Sequence, residues 1–391
     1  MKQIAILLDG TIKNDSRVIK TINTISSVHN VDLYYLNGNR EDKALFNERV
    51  KLFPINYQKT LRTKIISHTK FYNEYMFLAD KVLESKNDYD YVWANDLTCL
   101  KPAWKVKKTL DCKLVYDSHE IYTETINQFF PQYSKGIKKI IYSSIISYMR
   151  KKGIQTESKI LKDVDYFITV GEGLKKYFME KYAYEDEIYL VHNFPRIAKN
   201  ITPVNLKKVL NLKDDTKLFI YQGTLNSGRG QLEMVKAFSL TDENTCLVFL
   251  GKGPLRPNLE KLVDELNIAK KVKFIDAVDS KDLLNYTSGA DFGINLLEAF
   301  NLSKKMTVPN KLFEYIQTGL PTISSNTSEL QKFYNKYKIG VLIENTPDNI
   351  AKTVNSIIQE DITEYKNGCK QAALEYNWEN QEKTIMDIFK D

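Results

Sequence analysis

Short apolar, β-rich runs alternate along the whole chain with longer stretches in which apolar positions return every three or four residues. That alternation of a strand signal with a helical period predicts βαβ units and parallel sheets. In the first half, strands are expected at 3–8, 31–36, 50–55, 91–94, 113–116, 166–170 and 188–191, with helices notably at 16–27, 61–84 and 97–110. Asn193-Phe194-Pro195 closes this series, and the polar stretch 196–205 with Pro203 reads as a linker. A second series has strands expected at 218–222, 246–250, 272–275, 292–295 and 322–325, with helices at 230–238, 255–266, 280–288 and 311–318. From Pro347 onward the pattern is helical and amphipathic. The expected organisation is two doubly wound α/β domains, 1–200 and 201–375. They should face each other across a cleft at the carboxyl ends of their strands.

Length and composition agree with that organisation. A chain of 391 residues exceeds what one core usually organises, and 43% hydrophobic with 27% charged residues is ordinary for a globular protein. The apolar run at 3–8 is too short for a signal peptide, and no later stretch spans a bilayer. Cys99, Cys112, Cys246 and Cys369 are scattered, which suits buried thiols in a reducing compartment and a cytoplasmic protein. The net charge of +7 is uneven. Residues 1–200 hold 32 Lys and Arg against 24 Asp and Glu, a net +8, while the remainder holds 24 against 25. A basic first half implies an anionic neighbour: a membrane, a nucleic acid or an acidic acceptor. No recognition motif accompanies the charge, which disfavours nucleic acid.

The most informative stretch is Thr307-Val308-Pro309-Asn310-Lys311-Leu312-Phe313-Glu314, running on to Gly319-Leu320-Pro321. Pro309 precedes a short helix, Asn310 is placed to cap it, and its free N–H groups form an anion-binding start. Lys311 in the first turn opposes the helix dipole, so it needs another reason to be there, such as a bound phosphate. Glu314, one turn on, is placed to accept hydrogen bonds from ribose hydroxyls. This pattern resembles the nucleotide-sugar segment of glycosyltransferase family 4, retaining enzymes of the GT-B fold. The resemblance implies that Pro309, Asn310, Lys311, Leu312 and Glu314 bind the donor, with Glu314 on its ribose. Many members of that family carry a second acid earlier, where this chain has Met306.

Other segments resemble the same family in order over roughly residues 217–326. Tyr221-Gln222-Gly223-Thr224-Leu225 with Gly228-Arg229-Gly230 resembles the loop facing the diphosphate, with Arg229 kept as its cation and Thr224 where an arginine often stands. Gly223 and Gly230 would let the backbone approach phosphate closely. Gly251, in Phe249-Leu250-Gly251-Lys252-Gly253-Pro254, and Val278, after Phe274-Ile275-Asp276-Ala277, resemble the turns beside the nucleotide base.

In the first half, Asp9-Gly10-Thr11 resembles the family's first loop, with Gly10 and Thr11 offered to the leaving phosphate and Arg17 read as structural. Val115-Tyr116-Asp117-Ser118-His119-Glu120 leaves a strand end, and the resemblance makes His119 the contact to the donor sugar and reacting centre. Asp96, Asp117 and Glu120 are candidates for the acceptor, with Asp117 and Glu120 alternatively orienting the loop or capping the next helix. Residues 125–156 contain no acidic side chain but hold Lys135, Lys138, Lys139, Arg150, Lys151 and Lys152 among apolar and aromatic residues. Such a helix either meets an anionic membrane surface or packs its apolar face on the sheet and leaves its cations solvated.

The acid-x-acid strings at 88–90, 163–165 and 185–187 each precede a strand, so no metal site is expected and no cofactor is implied. The final segment 376–391 resembles the last GT-B helix, which crosses back to the first domain. Taken together, the resemblance implies retaining transfer from a nucleotide-diphosphate sugar, with uridine the preferred base, to a cell-surface glycan or lipid-linked acceptor. Its implied location is the cytoplasm, with the inner face of the membrane as a peripheral site. A GT-B epimerase or a non-catalytic GT-B partner subunit are the alternatives.

Overall fold

A computed structural model describes residues 1–58, 75–130, 136–298 and 302–390 of the chain. The chain divides into one compact unit of residues 1–193 with 381–391, and a second of residues 194–380. The division falls at Phe194 because its ring packs edge-on against Phe313, 4.4 Å between centroids, and against Tyr376, both in the second unit.

The first unit is a seven-stranded sheet: β1 (Gln3–Leu8), β2 (Asn30–Leu36), β3 (Val50–Ile55), β4 (Tyr91–Asn95), β5 (Lys113–Ser118), β6 (Tyr166–Thr169) and β7 (Ile188–Leu190), in the order β3-β2-β1-β4-β5-β6-β7. Its paired strands are parallel. Helices covering both faces explain why β1 reads as a continuous apolar run: Ile4 to Leu7 are all buried. The helix Ser16–Ser26 starts where Asp15 accepts the Val18 N–H at 3.0 Å, a side-chain cap on an otherwise orphaned donor. Of the helix expected at 61–84, Met76–Glu84 is present, and residues 59–74 lie outside the described residues.

The second unit repeats the plan with β8 (Lys217–Gln222), β9 (Thr245–Leu250), β10 (Val272–Ile275), β11 (Phe292–Asn295), β12 (Thr322–Ser325) and β13 (Gly340–Ile343), in the order β10-β9-β8-β11-β12-β13. β13 was not expected. Its three apolar residues sit on the sheet edge, half-buried, between two helices. The helix expected at 280–288 is shortened to Leu283–Thr287. The helical tail resolves into Pro347–Ile357, Thr363–Glu375 and Trp378–Asp387, the first capped by Thr346 with Pro347 in its opening turn. Residues 381–390 pack within the first unit, where Phe389 meets Tyr91 edge-on and the Tyr91 hydroxyl donates to the Ile388 carbonyl.

Each sheet reverses its strand order once, between β1 and β4 and between β8 and β11. In open parallel sheets that reversal splays the flanking connections apart and leaves a crevice at the carboxyl ends of the two strands. Both candidate sites gather there. Among the described residues no helix is long and apolar enough to cross a membrane, and the four cysteines are buried and free.

Candidate active-site residues in the two units

In the second unit, β8 runs out at Gln222 into Gly223, whose φ of +114° is a conformation that favours glycine. A Cβ there would meet nothing within 4 Å, so this peptide is open to an approaching group. Gly251, expected beside the base, supports the loop from below. A Cβ at 251 would lie 2.0 Å from the Gly223 carbonyl, so a side chain would push Gly223 out of place. Gly230, with φ +64°, is also in a conformation that favours glycine. Its missing Cβ would lie 2.9 Å from the Leu296 side chain, so close packing also requires a glycine there.

Glu298 braces the arginine loop on both sides of Arg229. Its backbone N–H donates to the Gly228 carbonyl at 3.1 Å, and its carboxylate accepts the Gly230 N–H at 3.1 Å. Arg229 is half-buried against Tyr221. Burial pushes the Tyr221 hydroxyl up to about 12, with the neighbouring guanidinium working in the opposite direction.

The helix Asn310–Gln317 begins one residue earlier than the cap reading required. Pro309 occupies the N-cap position, Asn310 is the first helical residue, and no side chain caps the end. Leu312, expected at the donor, faces inward with Phe313 and Ile316 and belongs to the core. Val278 likewise packs its side chain on the core formed by Leu218, Ile220 and Tyr315.

Lys311 is the unusual member. Its side chain is 7% exposed, its Nζ sits 3.4 Å from the centre of the Tyr221 ring, and that Nζ is buried with no hydrogen-bond partner. Burial drives its pKa well below the ordinary lysine value, and the positive charge of Arg229 adds to that, while Glu314 opposes it. An ammonium held this way is costly until an anion arrives. Glu314 is fixed beside it: Gln222 Nε2 donates to Glu314 Oε2 at 2.5 Å, and Gln222 Oε1 accepts the Thr287 hydroxyl at 2.6 Å. Sequence reasoning missed Glu298, Gln222 and Thr287. Gln222 lay inside the quoted loop, but its amide reads as a strand end until Glu314 is folded against it.

In the first unit, the switch point brings Gly10 and Thr11 after β1 near the register of Asp96 after β4. Gly10 has open space where a Cβ would be, and Thr11 is exposed with no capping bond from its side chain. Asp96 adopts φ +59°, a left-handed conformation rare for aspartate outside turns and sites. Its carboxylate accepts the His119 N–H at 2.9 Å and approaches His119 Nδ1 at 3.3 Å. On the other side of the ring, Nε2 lies 3.2 Å from Asp117 Oδ2, and Asp117 Oδ1 takes Arg17 Nη2 at 2.6 Å. Arg17 also donates to the Val191 carbonyl.

Asp117 was a candidate for the acceptor, but it is 1% exposed and acts through His119 and Arg17. Glu120 accepts the Thr125 hydroxyl at 2.8 Å, which ties it to the short helix Tyr122–Thr125. Asp96, a quarter exposed, is the acceptor candidate that keeps an accessible carboxylate.

The buried His119 ring would by desolvation alone lose its proton easily. Asp96 and Asp117 outweigh that and raise its pKa to about 10, against an ordinary 6.5. Asp117 is pushed upward by burial, but Arg17 and His119 pull it down to about 2. His119 is therefore an imidazolium at neutral pH. In the window from 6.5 to about 10 the folded protein holds a proton that the unfolded chain has released, so stability falls as pH rises through that window. Urea unfolding of the wild type and His119→Gln is expected to show a stability gap largest below pH 6.5 and shrinking toward pH 10. A gap that is independent of pH would contradict the paired-ion description.

Of the basic residues in 125–156, Lys135 lies outside the described residues, and Lys138, Lys139, Lys151 and Lys152 are exposed. Arg150 does not belong with them, because it is half-buried and donates to Glu124 at 2.7 Å. Two of the three acid-x-acid strings are occupied locally: Asp163 accepts Trp104 Nε1, Asp165 accepts the Leu114 N–H, and Asp90 accepts the Gln3 N–H.

Two parallel Rossmann-like sheets in the same 3-2-1-4 order are the GT-B fold, and the family match and the relatives, named as glycosyltransferases, make the protein a glycosyltransferase. Residues 204–376 match the family described as Glycosyl transferases group 1. An uncharacterized glycosyltransferase of Methanocaldococcus jannaschii is 24% identical over 352 residues, covering 86% of this chain and 85% of that protein. Sucrose-phosphate synthase from Thermosynechococcus elongatus superposes with a TM-score of 0.75 at 16% identity, over 100% of this chain and 98% of that one. Anabaena HepE, solved with UDP-glucose, does so with a TM-score of 0.71 at 13% identity, over 100% and 99%.

Proposed function

We propose that this glycosyltransferase is a family 4 enzyme that transfers a sugar, with retention of anomeric configuration, from a UDP-sugar to a glycan or lipid-linked acceptor. The observation that carries the reading is the Lys311 amine, buried without a hydrogen-bond partner beside Arg229 and the fixed carboxylate of Glu314. Breaking the sugar–phosphate bond builds negative charge on the diphosphate. Lys311, Arg229 and the uncapped start of the helix Asn310–Gln317 stabilise that charge where it develops, each well-placed donor contributing about 3 kcal/mol. Two protein cations do this in our reading without a metal.

Glu314, oriented by Gln222, takes the ribose hydroxyls, and the open peptide at Gly223 lies at the same strand end for the phosphates. The first unit supplies Gly10 and Thr11 to the leaving group, the His119 imidazolium to the sugar and Asp96 to the acceptor. The enzyme works in the cytoplasm, at the inner face of the membrane when the acceptor is lipid-linked.

The test is to incubate the protein with UDP- and GDP-sugars, with and without lipid-linked and glycan acceptors, and to read product anomers by NMR. Acceptor-dependent release of UDP with a retained anomer is expected, and Glu314→Gln should raise the donor KM by about 10- to 100-fold. Change of the sugar with donor alone would replace the reading by an epimerase. Nucleotide binding without turnover on every acceptor would replace it by a non-catalytic subunit.

A further inference from the structure

The helix Ile137–Ile160 has two apolar faces, and the fold uses one. Tyr142, Ile145, Ile146 and Met149 pack with Ile126 and Phe130 as a small core of the first unit. At 100° per residue these four cluster on one side of the helix, roughly a third of a turn from a second group made of Ile137, Ile140 and Ile141. That second group is 77%, 68% and 50% exposed. Tyr148 continues it two turns after Ile141 at 45% exposed, with Lys152 Nζ 5.8 Å from its ring centre. Three isoleucines on one stretch of surface are a cost in water that a single scattered residue is not.

The charges around this stripe say what covers it. Lys138, Lys139, Lys151 and Lys152 are all exposed on the same helix. No acidic side chain occurs from 125 to 156, and the neighbouring Glu124 is taken by Arg150. A protein partner with an apolar patch would need its own acids to match. An anionic bilayer offers apolar depth and negative headgroups together, and lysine stems can lie along the apolar face while their ammonium groups stay in the headgroup layer. The helix is not apolar enough to cross, so it lies on the surface.

We infer that Ile137, Ile140 and Ile141, flanked by Lys138 and followed along the same side of the helix by Lys151 and Lys152, form a docking surface that inserts into the headgroup region of an anionic lipid bilayer. None of these residues is among those proposed to bind the donor, and vesicle binding is read without nucleotide, so its failure leaves the sugar-transfer reading to its own test.

The experiment is co-sedimentation of the full chain with phosphatidylcholine vesicles, with and without about a third phosphatidylglycerol, at low salt and at about 0.5 M salt. Binding is expected only with the anionic lipid and should weaken at high salt. Ile137→Ser, Ile140→Ser and Ile141→Ser combined should reduce it by about tenfold or more, since each isoleucine is lost from an apolar environment. Lys138→Glu with Lys152→Glu should reduce it similarly, while Lys213→Glu with Lys270→Glu, the same charge change on the second unit, should not. Circular dichroism and sedimentation velocity on each variant check folding and assembly. Equal binding by the triple-serine variant and the wild type overturns the inference. So does a wild-type dimer that the triple-serine variant converts to monomer without any vesicle binding, because a second copy then covers the stripe.

Discussion

Replacing Lys311 with methionine is expected to weaken UDP binding by about 100- to 1,000-fold while leaving the free protein as stable as before, or more so by about 1–3 kcal/mol. Most binding-site substitutions cost either function or nothing, and a few cost both. This one should separate the two, because the native chain hides a lysine amine that no hydrogen bond compensates. Methionine keeps the stem over the Tyr221 ring, where Nζ now sits 3.4 Å from the centroid, and adds no charge to desolvate. If Lys311 were merely structural, its removal would lower the melting temperature and leave nucleotide affinity alone. The opposite pattern identifies an amine kept for a ligand.

Replacing His119 with glutamine is expected to lower kcat by about 100- to 1,000-fold with a smaller effect on donor KM. Both ring nitrogens face carboxylates, at 3.3 Å and 3.2 Å, so the ring holds its proton and works by charge. With a pKa of about 10, the wild-type rate should show no histidine limb near pH 6.5 and should fall only as pH approaches 10. A limb at the ordinary histidine value would mean that the ring titrates freely. A His119→Gln enzyme with full kcat would remove the residue from the reacting centre.

The sheets were legible because parallel strands buried on both faces leave continuous apolar runs, as at β1 and β8. The edge strand β13 was not, since three half-buried residues on a sheet margin carry too little of that signal. The site was legible where one local motif carries it: Lys311 and Glu314 share a helix, and Gly223 follows its strand. Roles fixed by distant partners were hidden. Asp117 reads as a free strand-end acid until Arg17, far away in sequence, closes on it. Gly251 reads as a ligand contact until the Gly223 carbonyl is placed 2.0 Å from its absent Cβ. Asn310 reads as a cap because asparagine is a good one, but Pro309, with φ −65° and ψ 134°, already occupies that position. The basic helix was read as meeting a membrane or packing on the sheet. It packs one apolar face within its unit and leaves the other exposed, which one helical period cannot distinguish from a single wide stripe.

The central claim is that a buried, depressed lysine waits for a diphosphate, and calorimetric titration with UDP tests it most directly. Run at about pH 8 in two buffers of different ionisation heat, the titration reads protons taken up on binding. Lys311 is shifted well below its ordinary value in the free protein, so an arriving anion should raise its pKa and draw in a proton. Proton uptake in the wild type, absent together with most of the affinity in Lys311→Met, is the predicted result. UDP binding with no proton uptake and the same affinity in both proteins would contradict it.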